Sequence, residues 1–291
     1  MPNDSSRNAA GRARLFVLLQ HLLPQHALSR LVGAAARSRS PRLGRLLTRL
    51  FLRLYRVNLA EAAEPDPLAY PSFNAFFTRA LAPGRRPIAA GADSVASPVD
   101  GRFSELGSID EDRLLQAKGR DYTLGELLAG RDWASRFEGG RFATIYLAPH
   151  DYHRIHMPLD GRLVETVFVP GRLYSVNAAT AAGVPRLFAR NERVLTLFES
   201  AAGRFALVMV GALNVGSMAT VWSGDIRVRG ARAPVRLADA AVSLRKGDEL
   251  GRFNLGSTVI LLFEKGRIEF AAEAAAGRVV RMGEAIGRLL A

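Results

Sequence analysis

The chain has 291 residues, no cysteine and a formal net charge of +13. Its 48% hydrophobic residues, 27 glycines and 14 prolines are typical of a folded globular protein and exclude a disordered, collagenous or coiled-coil chain. The lack of cysteine excludes disulfides, thiolate zinc sites, iron–sulfur clusters and a cysteine nucleophile, so any nucleophile has to be serine, threonine or lysine.

Most of the positive charge lies at the N-terminus. Residues 1–60 hold eleven arginines against the single acid Asp4, a net +10 out of the total of +13. Such a concentration points to a surface of phosphates, in lipid headgroups or in nucleic acid. Nucleic acid is disfavoured because the rest of the chain has no basic stripe interleaved with aromatic residues and no recognisable nucleic-acid-binding module.

The arginines and leucines between residues 41 and 56 predict an amphipathic helix with an arginine edge. An apolar stretch at 15–23 precedes it, but Gln20 and His21 interrupt that stretch, which is shorter than the roughly 20 residues of a membrane span. The same two residues disfavour a signal peptide. We predict that residues 1–60 form basic amphipathic helices that associate with an anionic membrane surface; ordinary packing on the core with solvated arginines is the alternative.

A proline-rich linker follows, and residues 72–79 predict a short helix with an aromatic face. From residue 93 onward, short apolar runs punctuated by glycine predict strands at hairpin spacing. The runs lie at 142–147, 162–169, 193–197, 205–210, 218–222 and 258–263. The predicted fold is therefore α+β, with N-terminal amphipathic helices followed by a largely antiparallel, β-rich core.

Two internal repeats mark this core. Ser-Pro-Val-Asp-Gly-Arg at 97–102 recurs as Met-Pro-Leu-Asp-Gly-Arg at 157–162, and the pattern at 245–252 recurs at 281–288. Asp-Gly and Gly-Asp steps favour tight turns, because glycine accepts positive φ. The pattern resembles the hairpin turns of biotinyl/lipoyl-type β-sandwiches. The chain has no Gly-rich phosphate loop or dinucleotide fingerprint, which disfavours a nucleotide cofactor.

Three of the five histidines lie in one short segment, as His150, His153 and His156. Proton transfer, a structural polar cluster and a metal site are the alternatives for such a cluster. In an extended chain His150 and His156 lie on one side and His153 on the other, so one local strand cannot direct all three at a metal. We therefore favour proton transfer and predict no metal.

Two further positions carry chemical interest. Asp100 lies in the first Asp-Gly turn, but Asp160 holds the same place in the repeat, so the sequence hardly separates a functional aspartate from an ordinary turn residue. Gly256 and Ser257 form a Gly-Ser step inside an apolar strand. The freedom of Gly256 lets the Ser257 hydroxyl approach the preceding carbonyl carbon, whereas a strand bulge is the alternative.

Four motifs then occur in a fixed order. They are Pro98-Val-Asp-Gly101, Tyr152-His-Arg-Ile-His-Met-Pro158, Gly211-Ala-Leu-Asn-Val-Gly-Ser217 and Lys246-Gly-Asp-Glu-Leu-Gly-Arg-Phe-Asn-Leu-Gly-Ser-Thr258. Together they resemble the phosphatidylserine decarboxylase family, from about Phe73 to the C-terminus. Asn214 in the third motif either lines the site or is an ordinary buried polar residue with its hydrogen bonds satisfied, and the sequence supports both roles equally.

The resemblance implies an enzyme that makes its own cofactor. Cleavage between Gly256 and Ser257 would give a β chain, 1–256, whose core is 61–256, and an α chain, 257–291, that belongs to the same core. Ser257 would become a covalent pyruvoyl group, a bound form of pyruvate, that forms a Schiff base with the substrate amine. His156 would remove the Ser257 proton, Asp100 would orient the imidazole and stabilise its charged form, and His153 would donate a proton during decarboxylation.

The resemblance also implies the substrate phosphatidylserine and the products phosphatidylethanolamine and CO₂. It implies a peripheral protein on the cytoplasmic face of the cell membrane, composed of its own α and β chains, with a homodimer as a further expectation. A lipid hydrolase that uses Ser257, His156 and Asp100 without self-cleavage is the alternative enzyme, although the Gly-x-Ser-x-Gly elbow is missing. A lipid-binding β domain without activity is the other alternative.

Overall fold

The computed structural model describes residues 11, 16–117, 119–213, 217–228, 230–237, 242–255 and 257–290, with the backbone alone for Ala178 and Ser257. Within these residues the fold is α+β, with helices at the N-terminus and a largely antiparallel β-rich core, as predicted.

The longer helices precede the core. Residues 16–22 are helical, and two amphipathic helices follow, α1 at Gln25–Arg37 and α2 at Pro41–Leu54. Pro41 suits the first turn of α2, because a missing N–H costs nothing there. The shorter helices are α3 (Phe73–Phe77), α4 (Leu124–Leu127), α5 (Ala178–Gly183) and α6 (Leu187–Arg190), with 3₁₀ turns at Leu59–Glu61 and Ala134–Phe137. None of the described helices has the length and hydrophobicity needed to cross a bilayer.

The core consists of eighteen described strands. They are β1 (Ser94–Ala96), β2 (Gly101–Ser108), β3 (Arg113–Ala117), β4 (Arg120–Thr123), β5 (Arg141–Leu147), β6 (Arg154–His156), β7 (Gly161–Val169), β8 (Arg193–Ser200), β9 (Gly203–Val210), β10 (Met218–Thr220), β11 (Gly224–Ile226), β12 (Val235–Arg236), β13 (Ser243–Leu244), β14 (Glu249–Phe253), β15 (Ser257–Phe263), β16 (Ile268–Phe270), β17 (Val279–Val280) and β18 (Ala285–Leu289).

The largest sheet has the strand order β12-β7-β8-β9-β15-β5-β2-β17, with β13 also paired to β7. Its centre is apolar on both faces, because two hydrophobic clusters cover it, one with Phe142 and Ile260 and the other with Ile145 and Leu261. Strand β15 lies in the middle, hydrogen-bonded to β9 on one side and to β5 on the other. The strand that begins with Ser257 is therefore an interior strand of the largest described sheet.

Two small sheets repeat the same arrangement. Strands β1, β18 and β16 form one, and strands β6, β14 and β10 correspond to them in the other, which adds β11 at its edge. The β1–β18 pairing has a register shift after Val95, and the β6–β14 pairing has one between Glu249 and Gly251. The two copies of each sequence repeat thus occupy matching places in the two sheets.

The turns of the two sheets also make matching hydrogen bonds. The Met157 N–H donates to the carbonyl oxygen of Asp248 at 2.9 Å, as the Ser97 N–H donates to that of Glu284 at 2.7 Å. In the same way the Gly247 N–H donates to Met157, and the Gly283 N–H donates to Ser97, both at 2.9 Å. The molecule therefore contains two structurally equivalent units, each made from one copy of both repeats.

The N-terminal helices pack against the core through an aromatic cluster. Phe51 of α2 contacts the three phenylalanines of α3, with ring centroids 5.3 to 6.1 Å apart. Leu255, immediately before the Gly-Ser step, belongs to the same cluster. The predicted helix at 72–79 is thus present as α3, and its aromatic face joins the N-terminal helices to the segment that leads into β15.

Candidate active site

His156 ends β6 and lies in a buried, polar corner of the core. Its Nδ1–H donates to the carbonyl oxygen of Gly247 at 2.8 Å, so Nε2 carries the lone pair and accepts from the Tyr152 hydroxyl at 3.0 Å. Burial lowers the pKa of His156 below its ordinary value. The ring is therefore neutral and basic at neutral pH, as a general base has to be.

Asp100 lies at the tip of the first Asp-Gly turn and is almost completely buried. Its Oδ1 accepts from the Met282 N–H at 2.8 Å and from Arg86 Nε at 2.8 Å, and its Oδ2 accepts from Arg86 Nη2. Arg86 also binds Glu61 at 2.8 Å. The paired carboxylates raise the pKa of Arg86, so this buried network keeps its charges.

Asp100 and His156 are not hydrogen-bonded to each other. The two oxygens of Asp100 accept from Arg86 and Met282, whereas the ring of His156 is held by Gly247 and Tyr152. Gly247 and Tyr152 therefore hold the His156 ring in its orientation, the role that we predicted for Asp100. Burial lowers the pKa of His156 most, whereas the Gly247 carbonyl, Glu249 and, to a smaller extent, Asp100 raise it.

His153 is completely buried. Its Nδ1–H donates to the carbonyl oxygen of Asp151 at 2.8 Å, its ring packs on Phe77 with centroids 4.1 Å apart, and its Nε2 has no hydrogen-bond partner. Burial lowers the pKa of His153 to about 3. The side chain is therefore a neutral proton acceptor at rest, and the donor role that we predicted requires an earlier step that protonates it.

The segment before Ser257 lies beside His153. The Phe253 N–H donates to the His153 carbonyl oxygen at 3.1 Å, and Leu255 and His153 both pack against Phe77. Leu255 has a φ of +94°, a conformation that costs a non-glycine residue on the order of 1–3 kcal/mol. Backbone strain is therefore stored directly before the predicted cleavage position.

Asn254 anchors this strained segment. Its Nδ2 donates to the Ser217 hydroxyl at 2.8 Å and to Asp225 at 2.9 Å, and its Oδ1 accepts from Asn74 at 3.0 Å. Arg37 of α1 donates to the same Ser217 hydroxyl at 2.7 Å. An N-terminal helix is thus linked by side-chain hydrogen bonds to the residue two positions before Gly256.

Gly256, the side chain of Ser257 and Asn214 lie outside the described residues. The backbone of Ser257 is described, and it pairs with Leu147 of β5. The predicted cleavage position and the predicted relay through Ser257 therefore stay predictions.

The third histidine of the motif, His150, is half exposed and 3.5 Å from Asp151. In the part of the chain that the structure describes, no three side chains of His, Asp or Glu lie close enough together to hold a metal ion. The histidine segment thus brings His153 and His156 into the buried part of the site and leaves His150 at its edge.

Sequence reasoning missed several residues of this site. Tyr152 is the first residue of the histidine motif, and its hydroxyl group, a hydrogen-bond donor close to His156 in sequence, was a signal that could have identified it. Glu61 and Arg86 lie on either side of the proline-rich linker and the predicted helix, and Arg79 is the last residue of that helix; nothing in the pattern separates them from other charged residues. Their contacts with Asp100 and the histidine segment depend on the fold.

Comparisons with known proteins agree with this geometry. A family model described as phosphatidylserine decarboxylase matches residues 73–288, and a second model, described as PSD, matches residues 15–56. A phosphatidylserine decarboxylase proenzyme from Marinobacter nauticus is 51% identical over 280 residues, which cover 95% of this chain and 98% of the relative. Proenzymes of the same name are 52% identical in Nitrosococcus oceani, over 95% and 92% of the two chains, and 53% identical in Chromobacterium violaceum, over 94% and 98%.

The first match spans the whole β-rich core with α3, and the second spans the two N-terminal amphipathic helices. The relatives align along nearly their full length, so the matches include both structurally equivalent units. The resemblance seen in the sequence motifs is confirmed: the chain belongs to the phosphatidylserine decarboxylase family.

Proposed function

We propose that the chain is a proenzyme that cleaves itself between Gly256 and Ser257 and then converts phosphatidylserine to phosphatidylethanolamine and CO₂. Family membership supports the reaction. The observation that carries the proposal is the neutral, buried His153, whose Nε2 has no partner among the described residues and whose backbone pairs with the strained segment that leads to Ser257. An unpartnered imidazole in a dry site costs stability and is of use only if it receives a proton during the reaction.

The cleavage uses only groups of the chain itself. The Ser257 hydroxyl attacks the carbonyl carbon of Gly256 and loses its proton to a histidine, and the peptide nitrogen leaves as an amine while an ester forms. Elimination then removes the Cα proton of residue 257 and breaks its Cβ–O bond, so that the Gly256 carboxylate leaves with the β chain and dehydroalanine remains at the N-terminus of the α chain. This enamine rearranges to an imine, to which water adds; ammonia departs, and a pyruvoyl group remains at position 257.

His156 is our candidate base for the first step. Burial keeps it neutral, and Gly247 fixes the tautomer with the lone pair on Nε2. The Tyr152 hydroxyl occupies that lone pair in the resting chain and has to move aside when His156 takes the Ser257 proton. The charge of Asp100 then stabilises the imidazolium from a distance.

The residues around β15 fit a pyruvoyl group at its N-terminus. Phe77 and Leu255 are buried there and exclude water, and His153 has an unpartnered nitrogen. The bound group supplies a ketone that condenses with the substrate amine and accepts the electrons released with CO₂. His153, once protonated, delivers its proton to the carbon that has lost CO₂.

We further propose that the N-terminal helices hold the enzyme on the cytoplasmic face of an anionic membrane. Leu46, Leu50 and Leu54 lie on one side of α2 and are 62%, 51% and 69% exposed. The face that packs on the core contains Gly44 and Thr48 instead. Exposed leucines beside an arginine edge suit a helix that lies in the headgroup region. A homodimer stays a prediction.

The cleavage is tested by the intact mass of the purified protein under denaturing conditions, with and without a carbonyl-reactive reagent. We expect two chains divided before Ser257 and a reagent adduct on the smaller chain alone. The Ser257→Ala chain is the control and has to stay whole. A single wild-type chain that decarboxylates or hydrolyses lipid would overturn the proposal and favour the uncleaved hydrolase.

Membrane association is tested by flotation with vesicles of phosphatidylglycerol and phosphatidylcholine. Replacing Leu46, Leu50 and Leu54 by serine is expected to weaken binding at least about tenfold, because three leucines no longer enter the interface. Leu115→Ser is the matched control, since Leu115 is also exposed but lies on β3, outside the helices. Equal binding of the triple variant and the wild type would contradict docking through α2.

A further inference from the structure

Arg79 is a buried arginine whose hydrogen-bond donors are only partly paired. Only 4% of it is exposed, yet its Nε and Nη1 have no hydrogen-bond partner among the residues that the structure describes. Its Nη2 donates to the His150 carbonyl oxygen at 3.2 Å, and its guanidinium carbon lies 5.7 Å from the centre of the Phe76 ring. Burying N–H groups without acceptors is costly, so such a residue calls for a ligand or a function.

Another arginine in the same chain shows how a purely structural guanidinium is treated. Arg193 is 3% exposed, and its three nitrogens donate to four backbone carbonyl oxygens, those of Leu127, Ala189, Asn191 and Glu126, at 2.6 to 3.0 Å. Arg79 has one such bond. Among the described residues no carboxylate lies within ion-pair distance of Arg79 either, because Asp100 and Glu61 are paired with Arg86.

Arg79 lines a cavity of about 190 Å³ next to the candidate catalytic groups. Asp100 and Tyr152 line the same cavity, and Tyr152 is the hydrogen-bond donor to His156. Four arginines and three carboxylates surround the space, so the arginines outnumber the carboxylates by one. The exposed Arg56 and Asn58, which follow α2, also belong to this lining. The cavity therefore extends from the end of α2 to Asp100 and Tyr152.

We propose that Arg79 binds the phosphodiester group of the lipid substrate, with its free N–H groups donating to the phosphate oxygens. The proposal rests on the proposed function, because it assumes a phospholipid substrate. A phosphodiester carries one negative charge, which balances the lining of the cavity, and arginine is well suited to its oxygens. The position next to α2 is where a headgroup arriving from the membrane surface enters.

The substrate also carries a carboxylate, but that group is a poor partner for Arg79. Decarboxylation moves the negative charge out of the carboxylate as CO₂ forms, so a cation bound to it stabilises the substrate more than the transition state. The charge of the phosphodiester does not change in the reaction. A cation on the phosphodiester therefore binds substrate and transition state equally, and its loss raises KM while kcat is kept.

The test compares two soluble competitors of phosphatidylserine in mixed micelles. Glycerophosphoethanolamine has the phosphodiester without a carboxylate, and L-serine has the carboxylate without a phosphodiester. In the Arg79→Gln enzyme we expect KM for the lipid and Ki for glycerophosphoethanolamine to rise at least about tenfold, the amount that one lost bond to a charged group gives. The Ki for L-serine and kcat are expected to change less than about threefold.

Arg79→Lys keeps the charge but loses the planar donor set, and it is expected to lie between the wild type and Arg79→Gln. Arg113→Gln is the control, because Arg113 is exposed on β3 and pairs only with Asp121. Unchanged Ki for glycerophosphoethanolamine in both Arg79 variants would overturn the proposal. A selective loss of L-serine inhibition together with a fall in kcat would also overturn it and assign Arg79 to the carboxylate.

A second measurement needs no enzymatic activity. Calorimetric titration of the uncleaved Ser257→Ala chain with glycerophosphoethanolamine is expected to show saturable binding that Arg79→Gln weakens at least about tenfold. Absence of binding to the Ser257→Ala chain would overturn the proposal even if the Arg79 variants fail to fold. A wild-type chain that never cleaves would defeat the proposed function, whereas this titration would still decide on Arg79.

Discussion

Asp100 and Asp160 occupy the same place in the two structurally equivalent units, and only one of them lies in the candidate site. Each accepts a backbone N–H from the facing repeat, Asp100 from Met282 at 2.8 Å and Asp160 from Lys246 at 2.7 Å. Asp160 is exposed, whereas Asp100 is buried against Arg86. In both turns the aspartate accepts a backbone N–H, so this shared role explains neither the burial of Asp100 nor its pairing with Arg86.

The units also differ at the residue before the repeat. His156 precedes one copy and Ala96 precedes the other, and each donates its backbone N–H to the proline of the opposite copy. The histidine thus comes from one unit and the buried aspartate from the other. The comparison indicates that the site was formed by different side chains on equivalent backbones. Four measurements test this difference between the two units.

The largest expected effect separates the two aspartates. Asp100→Asn is expected to slow self-cleavage at least about 100-fold, because the amide keeps the bond to Met282 but leaves the buried charge of Arg86 without its bidentate carboxylate, near the ring of His156 that has to become positively charged. Asp160→Asn is the matched control and is expected to cleave at the wild-type rate. A mass-spectrometric time course of cleavage measures both. Similar slowing in both variants would mean that the turn geometry matters and the charge of Asp100 does not.

The next effect concerns two equivalent glycines. A β-carbon on Gly251 would collide with the carbonyl oxygen of Ala219, and one on Gly287 with that of Glu269. Each Gly→Ala variant is therefore expected to lose about 1–3 kcal/mol of unfolding free energy. Thermal and urea unfolding of the Ser257→Ala chain carrying either substitution measures this loss. We expect only Gly251→Ala to slow cleavage as well, since Gly251 lies on β14, which leads to Ser257; normal cleavage in that variant would contradict the link.

The third effect is a pH dependence located in one unit. The pKa of His153 is about 3 when folded and about 6.5 when unfolded, so the unfolded chain binds the extra proton and stability falls as the pH drops below about 6.5. Between pH 7 and pH 5 this group alone is expected to remove about 2 kcal/mol. Unfolding of the Ser257→Ala chain with and without His153→Gln measures the difference. An identical pH slope in both would show that His153 is not buried as a neutral base.

The smallest expected effect concerns a hydrogen bond that both units share, from an acidic side chain to the backbone of its own turn. The Asp248 side chain accepts the Arg245 N–H at 2.7 Å, and the Glu284 side chain accepts the Arg281 N–H at 3.1 Å. Alanine at either acid is expected to cost about 0.5–1.5 kcal/mol without any change in cleavage. Thermal unfolding and the cleavage time course measure both. Because Glu284 also pairs with Arg278, a larger cost at Asp248 than at Glu284 would show that the two turns differ already in their backbone support.

The sequence predicted the parts of this molecule that depend on local pattern. The repeats at 97–102 and 157–162 identified two equivalent turns, and the glycine-punctuated runs predicted the antiparallel core. The order of the motifs identified the family. Local pattern could not show which aspartate is buried, because the two turns have the same Asp-Gly step.

The parts that escaped prediction depend on contacts between distant segments. The Nδ1–H of His156 is held by Gly247, 91 residues away, and Arg79 reaches the carbonyl of His150 across 71 residues. The absence of a direct hydrogen bond between Asp100 and His156 could not be foreseen for the same reason, since Arg86 binds the carboxylate in the folded chain; the role of Asp100 in orienting His156 stays a prediction. Spacing along a chain does not reveal which of several charged side chains folding brings together.

The central position of β15 determines when the chain can be cut. Its backbone pairs with β9 and β5 over its length, and Ser257 is its first residue. A chain divided at this point before folding would have to recruit the innermost strand of its largest sheet from a separate 35-residue fragment, whose sequence is 257–291. We therefore expect cleavage to follow the folding of the sheet, which then holds the new N-terminus in place. A molecule found as two chains is accordingly one that has folded.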